Sequence, residues 1–70
     1  MTPKYKNGDI VRFKEDNVIT GLHQCFTGEI FDSEIDEESE TIYYYIECLD
    51  TESHVIEEAD IIGLAKEVLG

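Results

Sequence analysis

Residues 41–50, Thr-Ile-Tyr-Tyr-Tyr-Ile-Glu-Cys-Leu-Asp, decide how this chain folds. The first six are all β-branched or aromatic, residue types that pack well on a pleated, half-buried surface and crowd a helix. Side chains alternate along a strand. With Ile42, Tyr44, Ile46 and Cys48 turned to a core, Tyr43, Tyr45, Glu47 and Leu49 turn the other way. One face of this strand is then apolar, and the other carries two tyrosines and a carboxylate.

Reading outward, Asp50-Thr51-Glu52-Ser53 is a tight polar connection, and His54-Val55-Ile56-Glu57 returns as a second strand of a hairpin. On the other side, Asp36-Glu37-Glu38-Ser39-Glu40 has no apolar residue and forms an exposed turn. Before it, Gly28 opens GEIFDSEI, and a strand is expected from about 27 to 34. Asn7-Gly8 and Glu15-Asp16-Asn17 bracket a further strand at Asp9–Lys14, whose Ile10, Val11 and Phe13 favour extended backbone. The stretch 15–26, with Gly21 inside it, reads as a long loop holding at most a short extended piece. Beyond residue 57 two readings stand. Ile61, Leu64, Ala65 and Val68 have helical spacing, weakened by Gly63. Alternatively a 3₁₀ turn at Glu58–Ile61 precedes a closing strand from Ile62 to about Lys66, with 64–70 as a tail or short helix.

Seventy residues make one domain, 1–70, with a small core. The N-terminus starts with charge and no apolar run follows it, so neither a signal peptide nor a membrane span is expected. Two cysteines, Cys25 and Cys48, are too few for a disulfide scaffold and are read as small buried hydrophobes. A cytoplasmic protein with reduced thiols is the expectation.

Chemistry-bearing patterns are sparse. DSEIDEESE lacks the sixth-position glycine and the flanking helices of a calcium loop. Of His23, Cys25, Cys48 and His54, only the first two are close enough to suggest a zinc site. Ser53 and His54 are neighbours and so would point to opposite strand faces, which gives no triad. No glycine-rich phosphate cradle is present. A non-enzymatic protein without cofactor or metal is expected.

Charge is the unusual property. Seventeen Asp and Glu against five Lys and Arg give −12. That opposes the counterion-release route to nucleic acid and docking on an anionic membrane. The charge is also segregated. Residues 1–14 hold Lys4, Lys6, Arg12 and Lys14 against Asp9, and the remainder holds Lys66 against sixteen carboxylates. Seven of these, Glu29, Asp32, Glu34, Asp36, Glu37, Glu38 and Glu40, fall within residues 29–40. Such a ridge attracts a basic partner and speeds its association; it also serves solubility. Tyr43 and Tyr45, with Glu47 in line, add rings that suit cation–π contact or simply cover a second packed face.

The order of elements resembles small SH3-like barrels of the KOW and Tudor-like kind found in bacterial and phage modules. The likeness rests on Tyr5-Lys6-Asn7-Gly8-Asp9-Ile10-Val11, the loop after it, Gly28-Glu29-Ile30, the tyrosine-rich strand, the hairpin and Glu57-Glu58-Ala59-Asp60-Ile61. It implies an all-β fold, a five-stranded barrel with a short 3₁₀ turn before the last strand. KOW modules carry basic residues for RNA, which this chain lacks beyond residue 14 apart from Lys66.

The functional expectation is a binding module, monomeric or weakly dimeric, that engages a basic protein through Asp32, Glu34, Asp36, Glu37, Glu38, Glu40, Tyr43, Tyr45 and Glu47. A phage-type inhibitor that mimics DNA on a nucleic-acid-binding enzyme is its concrete form. The alternatives are a Tudor-like reader of basic or methylated peptides through Tyr43 and Tyr45, and KOW-like RNA or ribosome association through the basic N-terminal segment.

Overall fold

The computed structural model describes residues 2–16, 23–48 and 53–66. They form five antiparallel strands in one sheet: β1 (Ile10–Asp16), β2 (His23–Asp36), β3 (Thr41–Cys48), β4 (Ser53–Glu57) and β5 (Ile61–Leu64). A 3₁₀ turn, η1 (Glu58–Asp60), lies between β4 and β5. The sheet order is β4-β3-β2-β1-β5. No described helix is long and apolar enough to cross a membrane.

The alternation read in β3 holds. Ile42, Tyr44, Ile46 and Cys48 are buried, while Tyr43 and Tyr45 are half-buried and Glu47 is exposed on the opposite face. Leu49 lies outside the described residues. The inward residues join Tyr5, Val11, Phe13, Ile30, Ile56 and Ile61 in one core, with Phe26 and Leu64 packed against it. Cys48 is buried in the core. The side chains of His23 and Cys25 lie outside the described residues.

The expected long loop at 15–26 is corrected. β1 continues through Glu15 and Asp16, β2 begins at His23, and the two pair down to Asp16↔His23. The polar Glu15-Asp16 pair reads as a turn, yet an antiparallel ladder tolerates polar residues where it runs past the core. Residues 17–22 lie outside the described residues. β2 also extends to Asp36, so it is longer at both ends than the expected 27–34. In the C-terminal stretch the turn-and-strand reading holds, with shifted bounds: the turn is Glu58–Asp60, the strand is Ile61–Leu64 rather than 62–66, Ala65 and Lys66 are turn residues, and the helical reading of Ile61–Ala65 is overturned. Val68 lies outside the described residues. Pairing of β5 with β1, Val11↔Leu64 and Phe13↔Ile61, supplies the backbone bonds a helix would have supplied, and Ile61 joins the core.

Two observations establish that the sheet curls tightly. β4 and β5 are its opposite edges, four strand spacings or about 19 Å apart if flat, yet three residues of 3₁₀ turn connect them over about 8 Å. His54 on β4 and Glu15 on β1 are three spacings apart in the ladder, yet Nδ1 and Oε2 lie 2.8 Å from each other. The His54 ring stacks on Phe26 at 5.7 Å and tilts against Phe13, closing that end of the core. Among the described residues no ladder joins β4 to β5.

The N-terminal segment is tied to the other end. Lys6 to Asp9 forms a turn closed by an Asp9 N–H bond to the Lys6 carbonyl, 3.1 Å, with Gly8 at φ +95° in the third position. That φ favours glycine, as in a type II turn. The turn feeds Gly8 N–H to the Ile30 carbonyl at 2.7 Å and takes Ile30 N–H onto the Asp9 carbonyl at 2.9 Å. Tyr5 packs edge-on to Tyr44, with ring centroids 5.7 Å apart.

Candidate outer face of strands β2, β3 and β4

A β-bulge decides where the carboxylates go. In the β2–β3 ladder Ile30 faces Ile46, but Asp32 faces Tyr45, so Phe31 is the extra residue. Strict alternation from buried Ile30 would point Asp32 and Glu34 into the core. Burying two unpaired carboxylates costs far more than one disrupted ladder step, and the bulge shifts the phase. After it, Ser33 and Ile35 lie on the side of Tyr44 and Ile42, and Asp32 and Glu34 lie on the side of Tyr45 and Tyr43. Phe31 is thrown outward, 46% exposed, with its ring 6.2 Å from that of Tyr45.

The registers arrange the outer face in three rows across β2, β3 and β4. The first is Glu34–Tyr43–Glu57, the second Asp32–Tyr45–Val55, with Phe31 beside it, and the third Glu29–Glu47–Ser53. Rows are two residues apart along the strands, about 7 Å. The middle row is apolar and aromatic apart from Asp32. Carboxylates border it on both sides. The Tyr45 hydroxyl donates to Glu34 Oε2 at 2.9 Å, across the diagonal. That bond raises the Tyr45 pKa above its ordinary value, because ionising the phenol would set two anions side by side.

Every sequence-derived residue can now be placed. Asp32, Glu34, Tyr43, Tyr45 and Glu47 share this face. Asp36, the last residue of β2, and Glu37, Glu38 and Glu40, in the exposed β2–β3 connection, lie at its end. Asp36 is partly committed to structure: its Oδ1 accepts from Glu38 N at 3.1 Å and from Ser39 N at 3.4 Å. Glu34, Tyr43 and Asp36–Glu38 also line a shallow concavity with Ile35. Sequence reading missed Phe31, Val55 and Glu57. For Phe31 the signal was a parity conflict: Ile30 and Ile35 both suit a core, but their numbers have opposite parity, so one residue between them has to be extra; for Val55 and Glu57 it was the simple alternation of β4 around Ile56.

Tyr44 is different in kind from its two neighbours. Its ring is fully buried, and its hydroxyl donates to Glu58 Oε2 at 2.6 Å while accepting from Tyr5 N at 3.2 Å. Glu58 Oε2 also accepts from Lys4 N at 3.1 Å. Burial first, and the bond to Glu58 second, push the Tyr44 pKa up to about 12. This cluster is a structural clasp for the N-terminal segment.

The basic residues occupy the other part of the sheet. Arg12 and Lys14 alternate with buried Val11 and Phe13 and so share the outer side of β1, and Lys4 Nζ lies 5.7 Å from the Tyr5 ring centre. Among the described residues no group of three or more His, Cys, Asp or Glu side chains could hold a metal ion. No family model, no curated protein and no solved structure gives a significant match to this chain.

Proposed function

We propose that the chain is an SH3-like barrel acting as a non-enzymatic binding module, and that the outer face of β2–β3–β4 engages a basic protein. The barrel reading is supported by the curl of the sheet and by the 3₁₀ turn that joins its edge strands. The functional reading rests on one observation. The Phe31 bulge gathers Phe31, Tyr45 and Val55 into an exposed apolar row bordered by Glu34, Glu57, Glu29 and Glu47. Apolar surface drives contact, and bordering carboxylates select Arg- and Lys-bearing partners by charge pairing and cation–π contact. An inhibitor that occupies the nucleic-acid groove of a basic enzyme is the form best suited to a net charge of −12.

The Phe31–Tyr45 ring pair also favours a second reading, a reader of single basic side chains in a peptide. The two differ in what they need. A DNA mimic depends on the carboxylates and is displaced by DNA; a reader depends on the rings and is not.

The test is capture of basic proteins from a bacterial lysate at low and moderate salt, with wild type beside Glu34→Gln/Glu57→Gln and Val55→Thr/Tyr45→Ala variants of verified folding. Loss of the captured protein in the charge variant, and its release by added DNA, are expected. An identical set of captured proteins with all three baits would sink the proposal.

A further inference from the structure

We infer that the partner docks as an added strand on the free edge of β4, presenting a basic–x–apolar–x–basic pattern to the outer face. This rests on the proposed function and names how the same face is used. β4 ends the sheet and pairs only with β3. Among the described residues its outward backbone groups make no backbone bond, and an edge of this kind is a template for another strand. Sheet edges are commonly protected by lysine, proline or a bulge, and Ser-His-Val-Ile-Glu contains none of these. Val55, 57% exposed, sits in the middle of that edge.

The three rows set the pattern of the incoming chain. A strand added beside β4, about 4.8 Å away, prolongs each row by one side chain. Beside Glu57 that side chain is best a cation. Beside Val55, in the row of Tyr45 and Phe31, it is best apolar. Beside Ser53, in the row of Glu47 and Glu29, it is again best a cation. The pattern reads the same in both directions, so it suits parallel or antiparallel addition. The other edge fits less well. β5 has only four residues, its ladder with β1 is irregular, and Arg12 and Lys14 stand on the adjoining strand. A second copy of this chain is disfavoured as occupant, because two molecules of −12 repel.

The probe is a short synthetic peptide with an Arg-Ser-Val-Ser-Arg centre, bound to the full chain at moderate salt and followed by fluorescence anisotropy and amide hydrogen exchange. Two further versions carry backbone N-methyl groups on the odd or the even positions. The expected result is slowed exchange in Ser53–Glu57, with one methylated version, the one blocking the edge that meets β4, weakened about tenfold or more through lost backbone bonds. Equal binding by all three peptides, or protection at β5 instead, would overturn edge addition and leave the basic-partner reading intact. Failure of every version to bind, even at low salt, would overturn both.

Discussion

Glu40 and Gly28 show how single positions constrain this fold in opposite directions. Glu40 closes the β2–β3 connection at φ +54°, in the left-handed region, where a side chain is strained. Glu40→Gly relieves that strain and removes one carboxylate from a crowded run; a gain of about 0.5–1 kcal/mol in urea unfolding is expected. Glu40→Gln keeps the strained backbone, so a gain as large as that of the glycine would show that charge rather than backbone is responsible. Gly28 has no such φ, but a Cβ there would meet Ile46 Cγ2 at 2.5 Å and the Glu47 carbonyl at 2.9 Å. Ile46 is fully buried and cannot swing aside. Gly28→Ala is expected to cost about 1–3 kcal/mol, read as a lowered urea midpoint. An unchanged midpoint would mean that β2 and β3 separate there at no cost.

At the scale of elements, the clasp between the N-terminal segment, β3 and η1 is a titratable joint. The Tyr44 hydroxyl ordinarily loses its proton near pH 10; in the fold this is pushed up to about 12. The folded state therefore holds the proton more tightly than the unfolded one. Its stabilising effect is complete below about pH 10 and disappears as pH rises from there through about 12. A fall in stability of about 2–3 kcal/mol over that window is expected, with the Tyr44 tyrosinate appearing last in an absorbance titration. Tyr44→Phe should lower stability at neutral pH by about 2 kcal/mol, since Tyr5 N–H loses its acceptor and Glu58 Oε2 keeps only the Lys4 N–H as donor, and should flatten the alkaline fall. Tyr45→Phe, which removes an exposed bond to Glu34, should leave the melting temperature unchanged. Equal effects of the two substitutions would refute the distinction between a buried clasp and a surface bond.

For the whole molecule, seventeen carboxylates in a chain of 70 residues repel one another. Added sodium chloride screens that repulsion, and the melting temperature is expected to rise with salt up to a few hundred millimolar. A melting temperature that falls with salt would mean that attractive charge contacts outweigh the repulsion.

Local propensity alone settled the all-β character and the two faces of β3, because alternation in TIYYYIEC needs no distant partner. It also settled the exposed acidic turn, and turn chemistry placed Gly8. Three matters required the assembled sheet. The ends of β1 and β2 follow from their mutual pairing, which carried the strands through polar residues that read as a turn. The choice of strand over helix at Ile61–Leu64 came from the open edge of β1, since a short segment takes whichever backbone partners are in reach. The Phe31 bulge came from the conflict between Ile30, which the core requires, and Asp32 and Glu34, which it excludes. The chain shows that conflict as the opposite parity of Ile30 and Ile35, but only the register of β2 on β3 decides which residue is extra. Its resolution assembles the acidic and aromatic face, so the ridge of charge is visible in the chain, whereas the apolar row beside it belongs to the fold.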